Sequence, residues 1–201
     1  NSLVNKSLKV LSLRITGVLL FFSLTLFLTN YFNPKLVGQY DFVRSLLIFL
    51  GGICVFGMHQ SVIYYSGFLN SQNSIGYIKK IYQKMIVIVL GISATLLVAF
   101  YTVDSTVIDG FFEKKVTPIV IKTVATLFFY GITMLNIDVL RSINKIFLSE
   151  LYRNVFRYFP FLVGVIIIYN INAQEFLIDL FLLSFIILSI VSTSYIWFCF
   201  T

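Results

Sequence analysis

Charge is scarce in this sequence of 201 residues. Asp, Glu, Lys and Arg make up 11% of it, less than half of the roughly 25% that is typical of a soluble domain. So few charged side chains cannot cover the surface of a globule in water, which excludes an ordinary soluble enzyme. Proline (3) and glycine (11) are also too few for a collagen-like or linker-rich chain. What is abundant is apolar: 59% of the residues are hydrophobic and 22 are phenylalanine. The composition predicts a polytopic membrane protein.

Sequence motifs for covalent and metal chemistry are missing. The two cysteines, Cys54 and Cys199, lie far apart in apolar runs and form no CxxC pair, so no disulfide or zinc site is expected. The sequence has no GxxxxGK[ST], HExxH or GxSxG pattern, which argues against ATP hydrolysis and hydrolytic catalysis. We therefore predict no enzyme, no catalytic residue, no metal and no cofactor. Any transport would draw on a substrate or ion gradient.

Long apolar runs predict the architecture. A helix that crosses the hydrocarbon core needs about 20 mostly apolar residues, and backbone in lipid must satisfy its own hydrogen bonds. The sequence therefore predicts an all-α transmembrane unit over residues 1–201, one lobe with about six helices, over approximately 12–32, 43–64, 83–103, 118–139, 155–171 and 176–199.

Residues at the ends of these runs predict where helices begin. Asp41 is expected to cap the second helix, and Thr117 to cap the fourth, with Pro118 in the first turn. Asn172 and Glu175 have the spacing of a capping box before the sixth helix.

Basic residues are distributed unevenly between the two sides of the predicted membrane. Ten lie in or beside the N-terminal arm and the connections 65–82 and 140–157, against two acidic residues, whereas the opposite side has five basic and six acidic residues. Cytoplasmic loops carry an excess of Lys and Arg. Both termini are therefore predicted to be cytoplasmic, and the basic residues are attributed to topology rather than to nucleic-acid binding.

Arg44 is the first candidate for binding a substrate. A charge inside the bilayer is expensive, which makes each one a functional candidate. Arg44 could hold a phosphate in a central cavity through paired N–H donors. Alternatively, it pairs with Asp41 three residues earlier or reaches the interface.

A polar stripe in the fourth helix is the second candidate. Lys122, Thr126, Thr133 and Asn136 fall on one helical face. Such a stripe must face protein or water rather than lipid. Both a hydrophilic cavity wall and hydrogen bonding between helices explain it.

Two further residues complete the candidate set. Arg14 either anchors the first helix or lines a cytoplasmic entrance, and His59 either packs or takes part in substrate or proton binding. Asp138 and Arg141 are spaced to pair with one another at the end of the fourth helix.

Several short motifs together resemble the O-antigen and polysaccharide flippases of the multidrug/oligosaccharidyl-lipid/polysaccharide exporter superfamily. They are SLKVLSLRITG at 7–17 before the first span, VGQY at 37–40 before the second, and the basic turn LRSINK at 140–145. The resemblance extends loosely over all six spans.

The resemblance implies a function and a location. Such a flippase passes undecaprenyl-diphosphate-linked oligosaccharide units across the cytoplasmic membrane for O-antigen or surface polysaccharide synthesis. Two six-helix lobes enclose a V-shaped cavity with cationic side chains, for which Arg14 and Arg44, then Lys122, are the candidates here. With six spans of about twelve, the chain is expected to be the N-terminal lobe and to need the other lobe or a second copy as a partner.

Three alternatives stay open at this point. An integral-membrane glycan polymerase or glycosyltransferase would need a large outer loop, and the longest here is about fourteen residues, 104–117. A drug or cation antiporter of the same superfamily would favour a buried carboxylate in this lobe. A purely structural membrane subunit is the third.

Overall fold

The computed structural model describes residues 2–68, 74–112 and 116–200, without the side chains of residues 2, 3, 6, 59, 65–68, 74 and 75. These parts are almost entirely helical, with short turns between the helices and no strand among them. The α-helices are α1 (Ser2–Tyr31), α2 (Pro34–Val55), α3 (Met58–Phe68), α4 (Ser74–Thr102), α5 (Ser105–Phe111), α6 (Thr117–Ala125), α7 (Leu127–Ser142), α8 (Ile146–Leu151), α9 (Phe159–Asn170) and α10 (Leu177–Phe200). A π-helical segment (Tyr152–Phe156) joins α8 to α9, and a 3-10 turn (Gln174–Phe176) precedes α10.

The chain is an all-α polytopic membrane protein. Five helical segments are long and apolar enough to cross a bilayer, namely Ser7–Tyr31, Pro34–Val55, Gly76–Thr102, Ile146–Asn170 and Gln174–Phe200. A sixth candidate is the pair α6–α7, which is bent by 41° at Thr126. The predicted 118–139 helix is therefore broken in the middle.

Helix directions indicate that the bent pair crosses the membrane once. Arg14 of α1 contacts Glu150, and Phe21, one to two turns further along, contacts Tyr158. The first span and Ile146–Asn170 therefore run in the same direction. Spans alternate in direction, so an odd number of crossings must separate these two. Pro34–Val55, Gly76–Thr102 and α6–α7 supply three.

The contacts between α6–α7 and α10 agree with this topology. Lys122 binds Asp179 near the start of both, and Asn136 binds Ser192 about two heptads later. The bent pair thus follows α10 in parallel over most of a membrane thickness. Six crossings among the described residues follow from these directions.

The second span begins earlier than the sequence predicts. Asn33 is its N-cap, because its side-chain oxygen accepts from the Lys35 backbone N–H at 2.9 Å. The prediction that Asp41 caps this helix is wrong, since Asp41 lies two turns inside it. The shift moves Arg44 from the end of the helix to its middle.

Two other predicted caps are also wrong. At the start of α6, Asp109 accepts hydrogen bonds from the backbone N–H groups of Val116 and Thr117 and from the Thr117 hydroxyl, at 2.8–3.0 Å. An acidic side chain seven residues away therefore takes the place of the threonine cap. Asn172 adopts a left-handed conformation (φ 57°), and no side chain caps the 3-10 turn after it.

A close approach at Gly51 brings α2 against α7. A Cβ at this position would lie 2.3 Å from a ring carbon of Tyr130. The Tyr130 ring is in turn packed against Phe185 of α10, with ring centroids 5.0 Å apart. Glycine is therefore required here for the three helices to meet.

Candidate anion-binding cavity and charge cluster

A cavity of about 220 Å³ lies between α1, α2, α9 and α10. Its wall consists of two arginines, five aromatic rings and one aliphatic side chain. The lining residues are Phe21, Tyr40, Arg44, Ile48, Arg157, Tyr158, Phe161 and Phe181. We call it the arginine cavity.

The arginine cavity lies near the middle of the membrane-crossing segments. Arg44 is ten residues after the start of the Pro34–Val55 span, and Arg157 is eleven residues after the start of Ile146–Asn170. At 1.5 Å per residue, each lies roughly 15 Å along a span, which is about half of a hydrocarbon core of roughly 30 Å. The charge count along the sequence assigned these two arginines to opposite sides of the membrane, and this assignment is corrected here.

Arg44 is only weakly neutralised. Its nearest carboxylate is Asp41, 3.6 Å away and one turn earlier on the same helix, which is beyond good hydrogen-bond distance. The guanidinium stacks over the Phe21 ring at 4.9 Å. Its Nε is buried without a hydrogen-bond partner in the described structure. A buried donor without an acceptor in the protein is uncommon and calls for a partner such as an ordered water or a bound anion.

Arg157 faces aromatic rings rather than a carboxylate. Its guanidinium carbon lies 5.6–5.8 Å from the ring centroids of Tyr130, Tyr158 and Phe185, within the range of cation–π attraction. Among the described residues it forms no ion pair. Sequence reasoning missed this residue because it placed Arg157 in a cytoplasmic connection.

A sequence signal could have identified Arg157. Glu150, Arg153, Asn154 and Arg157 have spacings of three, four and seven, which place them on one helical face. In the structure Glu150 is buried and the other three are half-buried, so this face is turned at least partly towards the bundle. π-Helical segments occur frequently at functional sites.

Arg14 belongs to a different and neutralised group. Its Nε and Nη2 donate to the two oxygens of Glu150, at 3.2 and 3.0 Å. Arg141 also donates to Glu150, and the Asn154 amide donates to it at 2.9 Å. The Glu150 side chain is 1% exposed. A single buried carboxylate thus binds three donors from three helical segments.

A second ion pair adjoins this one. Arg153 donates to Asp138 at 2.6 Å, so the predicted pairing of Asp138 with Arg141 is wrong. The turn after α7 brings Glu150 to Arg141, and this tertiary contact replaces the local one. We call the set the Glu150 cluster, comprising Arg14, Asp138, Arg141, Glu150, Arg153 and Asn154.

Lys122 is also paired. It binds Asp179 of α10 at 2.7 Å, and both side chains are about half exposed. Thr126 and Thr133 are buried, and each hydroxyl donates to a carbonyl one turn back in its own chain, Lys122 for the first and Phe129 for the second. None of the three lines the arginine cavity.

Asn136, the last member of the predicted stripe, connects three helices. Its amide donates to Ser192 and Thr193 of α10 at 2.7 and 2.9 Å, and its oxygen accepts from the Tyr82 hydroxyl of α4 at 2.7 Å. It is fully buried. This geometry fits the alternative of hydrogen bonding between helices, and a substrate role for the stripe stays a prediction.

His59 cannot be placed in the same way, because its side chain lies outside the described residues. Within the described ranges, no three or more His, Cys, Asp and Glu side chains are grouped to hold a metal ion. No family model, no curated protein and no solved structure matches the chain. The relation to polysaccharide flippases therefore stays a prediction from the short motifs.

Proposed function

We propose that this chain forms one lobe of a flippase for lipid-linked oligosaccharides in the cytoplasmic membrane. The substrate is a glycan on undecaprenyl diphosphate, destined for O-antigen or surface polysaccharide. The observation that carries the proposal is that Arg44 and Arg157 line one cavity at mid-membrane depth. This pair replaces Arg14 and Lys122, both bound to carboxylates, as the leading cations.

The chemistry of the cavity favours a diphosphate. A guanidinium presents several N–H donors in a planar fork that matches phosphate oxygens. Two such groups, with the unpartnered Nε of Arg44 among their donors, offer donors to more than one anionic oxygen. The surrounding rings lower the local polarity, which strengthens attraction between the cations and an anion.

The same cations disfavour the antiporter alternative. Arg44 and Arg157 would repel a cationic drug or a metal cation, and no carboxylate of the described residues lines this cavity. A neutral or cationic substrate is therefore the less consistent choice. The polymerase alternative is disfavoured on a separate ground, because the longest predicted outer loop is too short for it.

The proposed mechanism involves no covalent chemistry. The diphosphate head group would occupy the arginine cavity while the polyprenyl chain stays in lipid. Alternating access requires a second lobe, supplied either by further residues of the same protein or by a second copy. A substrate or ion gradient provides the driving force.

A binding measurement with purified protein tests the proposal. Farnesyl diphosphate serves as the probe, and Arg44→Gln and Arg157→Gln each remove one charged donor group. Hydrogen bonds to charged groups contribute about 1.5–3 kcal/mol, so each variant should bind the probe roughly tenfold to a hundredfold more weakly. Lys35→Gln removes the same charge at the exposed start of α2 and should leave binding unchanged. Equal affinities for all variants would contradict an anion site in this cavity.

Transport is tested in cells that lack their own flippase. We expect Arg44→Ala in the complete protein to reduce surface polysaccharide while the amount of protein in the membrane stays normal. Normal export at normal protein level would remove Arg44 from the proposed site.

A further inference from the structure

We propose that α1 is a gate of the arginine cavity, held shut by the contact between Arg14 and Glu150. The inference rests on the proposed function only in taking this cavity as the substrate site. The motion itself is a property of the chain and is measured below without a substrate.

Phe21 is the part of α1 that closes the cavity. Its ring lies under the Arg44 guanidinium at 4.9 Å and beside the Tyr158 ring at 5.5 Å. It thus bridges the walls formed by α2 and α9. Moving α1 away would open the cavity on this side and uncover the Arg44 guanidinium.

The first span is the least buried of the five single-helix spans described. Only 11% of its most apolar stretch is buried inside the bundle, whereas 44% of the corresponding stretch of α10 is buried. A groove of about 1340 Å³ runs along the N-terminal half of α1 and reaches Asn144, Ile146 and Phe147 at the start of α8. The helix therefore has both few contacts to break and space beside it.

Specific contacts hold this half of α1 in place. Arg14 binds Glu150, and one turn later Gly17 approaches Asn154 so closely that a Cβ on the glycine would lie 2.7 Å from the Asn154 Cβ. Arg14 itself is 57% exposed and lines the groove. The contact between Arg14 and Glu150 is thus accessible from the groove beside α1.

The other end of α1 is held by aromatic packing. Phe27 and Tyr31 contact the Tyr169 ring of α9, with centroids 5.7 and 5.3 Å apart. Contacts of this kind do not depend on the ion pair. They provide a pivot about which the N-terminal half can swing.

The buried carboxylate stays satisfied when the gate opens. Without Arg14, Glu150 keeps its contacts with Arg141 and Asn154. Opening therefore leaves no bare charge in the interior, where it would be very unfavourable. Releasing Arg14 breaks an ion pair whose arginine is 57% exposed, so water can solvate the released guanidinium and the change in free energy stays small.

Distances between spin labels in lipid nanodiscs test the gate. One label replaces Ile15 on the exposed side of α1 and the other replaces exposed Ile190 on α10, in a background with Cys54→Ala and Cys199→Ser. Arg14→Gln should add a second, longer distance population or enlarge an existing one. Because water can solvate the released Arg14 and Glu150 keeps two donors, we expect an enlargement of roughly fivefold.

Two controls separate a gate from general loosening. Asp179→Asn breaks the ion pair with Lys122, which is also half-exposed but does not involve α1, and should leave the Ile15–Ile190 distances unchanged. A label pair at Val87 of α4 and Ile190 should be insensitive to Arg14→Gln. If Arg14→Gln leaves the α1 distances unchanged, or shifts the α4 pair equally, the gate is refuted.

A substitution at Gly17 supplies a second test. Any Cβ at this position would lie 2.7 Å from both the Cβ and the backbone oxygen of Asn154, so Gly17→Val should push α1 outward and enlarge the same longer distance population while Arg14 is intact. Unchanged Ile15–Ile190 distances in Gly17→Val would overturn the gate, whereas failure of the unaltered protein to bind farnesyl diphosphate would overturn the proposed function alone.

Discussion

Two groups of arginines in this molecule have opposite surroundings. Arg14, Arg141 and Arg153 of the Glu150 cluster bind carboxylates, and the central carboxylate is almost fully buried. Arg44 and Arg157 of the arginine cavity are surrounded mainly by aromatic rings. Among the described residues, the one carboxylate paired with either of them is Asp41, 3.6 Å from Arg44.

This difference distinguishes arginines that stabilise the fold from arginines that are available to bind a ligand. A cation whose carboxylate partners lie within hydrogen-bond distance contributes to packing and has little capacity left for a ligand. A cation with an unpartnered donor at mid-membrane depth is expensive to maintain, and an anionic ligand would relieve that cost. The comparison therefore predicts large effects on stability in the cluster and small ones in the cavity.

The largest expected effect follows from Glu150→Ala. It leaves three donors without their shared acceptor, and removing one partner of a buried pair costs about 3–5 kcal/mol. We expect a loss of about 3 kcal/mol in the free energy of unfolding, measured by denaturation in mixed micelles, because Arg14 can reach water. Glu150→Gln keeps one acceptor oxygen and should lose less. A change below about 1 kcal/mol would contradict a structural role for the Glu150 cluster.

Gly51→Ala should have the next largest effect. The added methyl group would collide with Tyr130, whose ring is held by Phe185 and by Arg157 above it, and overpacking of this kind costs about 1–3 kcal/mol. Gly52→Ala is the matched control, because a Cβ there meets nothing within 4 Å. The control should be neutral or stabilising by up to about 1 kcal/mol. Equal effects of the two substitutions would contradict the close approach.

Asn136→Leu tests a polar network without charge. The Tyr82 hydroxyl and the Ser192 hydroxyl each lose a partner, and hydrogen bonds between membrane helices average about 0.6 kcal/mol. We expect a loss of about 1 kcal/mol in the free energy of unfolding, well below that of Glu150→Ala. A loss as large as that of Glu150→Ala would mean that burial of a polar group, rather than its charge, determines how much stability is lost.

The smallest effect on stability is expected from Arg157→Gln. No carboxylate depends on this side chain, and the lost cation–π attraction of about 0.5–2 kcal/mol is offset by removing a charge that costs about 2.5–3.5 kcal/mol inside the membrane. The free energy of unfolding should therefore fall by no more than about 0.5 kcal/mol. The same variant should bind farnesyl diphosphate at least tenfold more weakly. Strong destabilisation would place Arg157 with the structural arginines instead.

The sequence predicts the helices well and their ends poorly. Apolar runs of about twenty residues leave few alternatives in a membrane, and five to six helical segments long and apolar enough to cross it are present among the described residues. The observed start of a helix differs from the predicted one in two situations. In α2, the helix continues through the polar residues that precede Arg44. At α6, the side chain of Asp109 supplies the cap instead of the predicted Thr117. Local patterns contain no information on such partners.

Composition and the lengths of the apolar runs are enough to predict the surrounding solvent and the class of fold, because hydrophobicity and backbone hydrogen bonding depend on these alone. Which arginines are neutralised follows from the packing of the helices. Arg14 and Glu150 are 136 residues apart along the chain, and Arg44 meets the same cavity as Arg157 because Tyr40 of α2 stacks against Phe161 of α9 and both rings contact Phe181 of α10. Charge pairing depends on distances of a few ångströms between helices, and packing sets those distances.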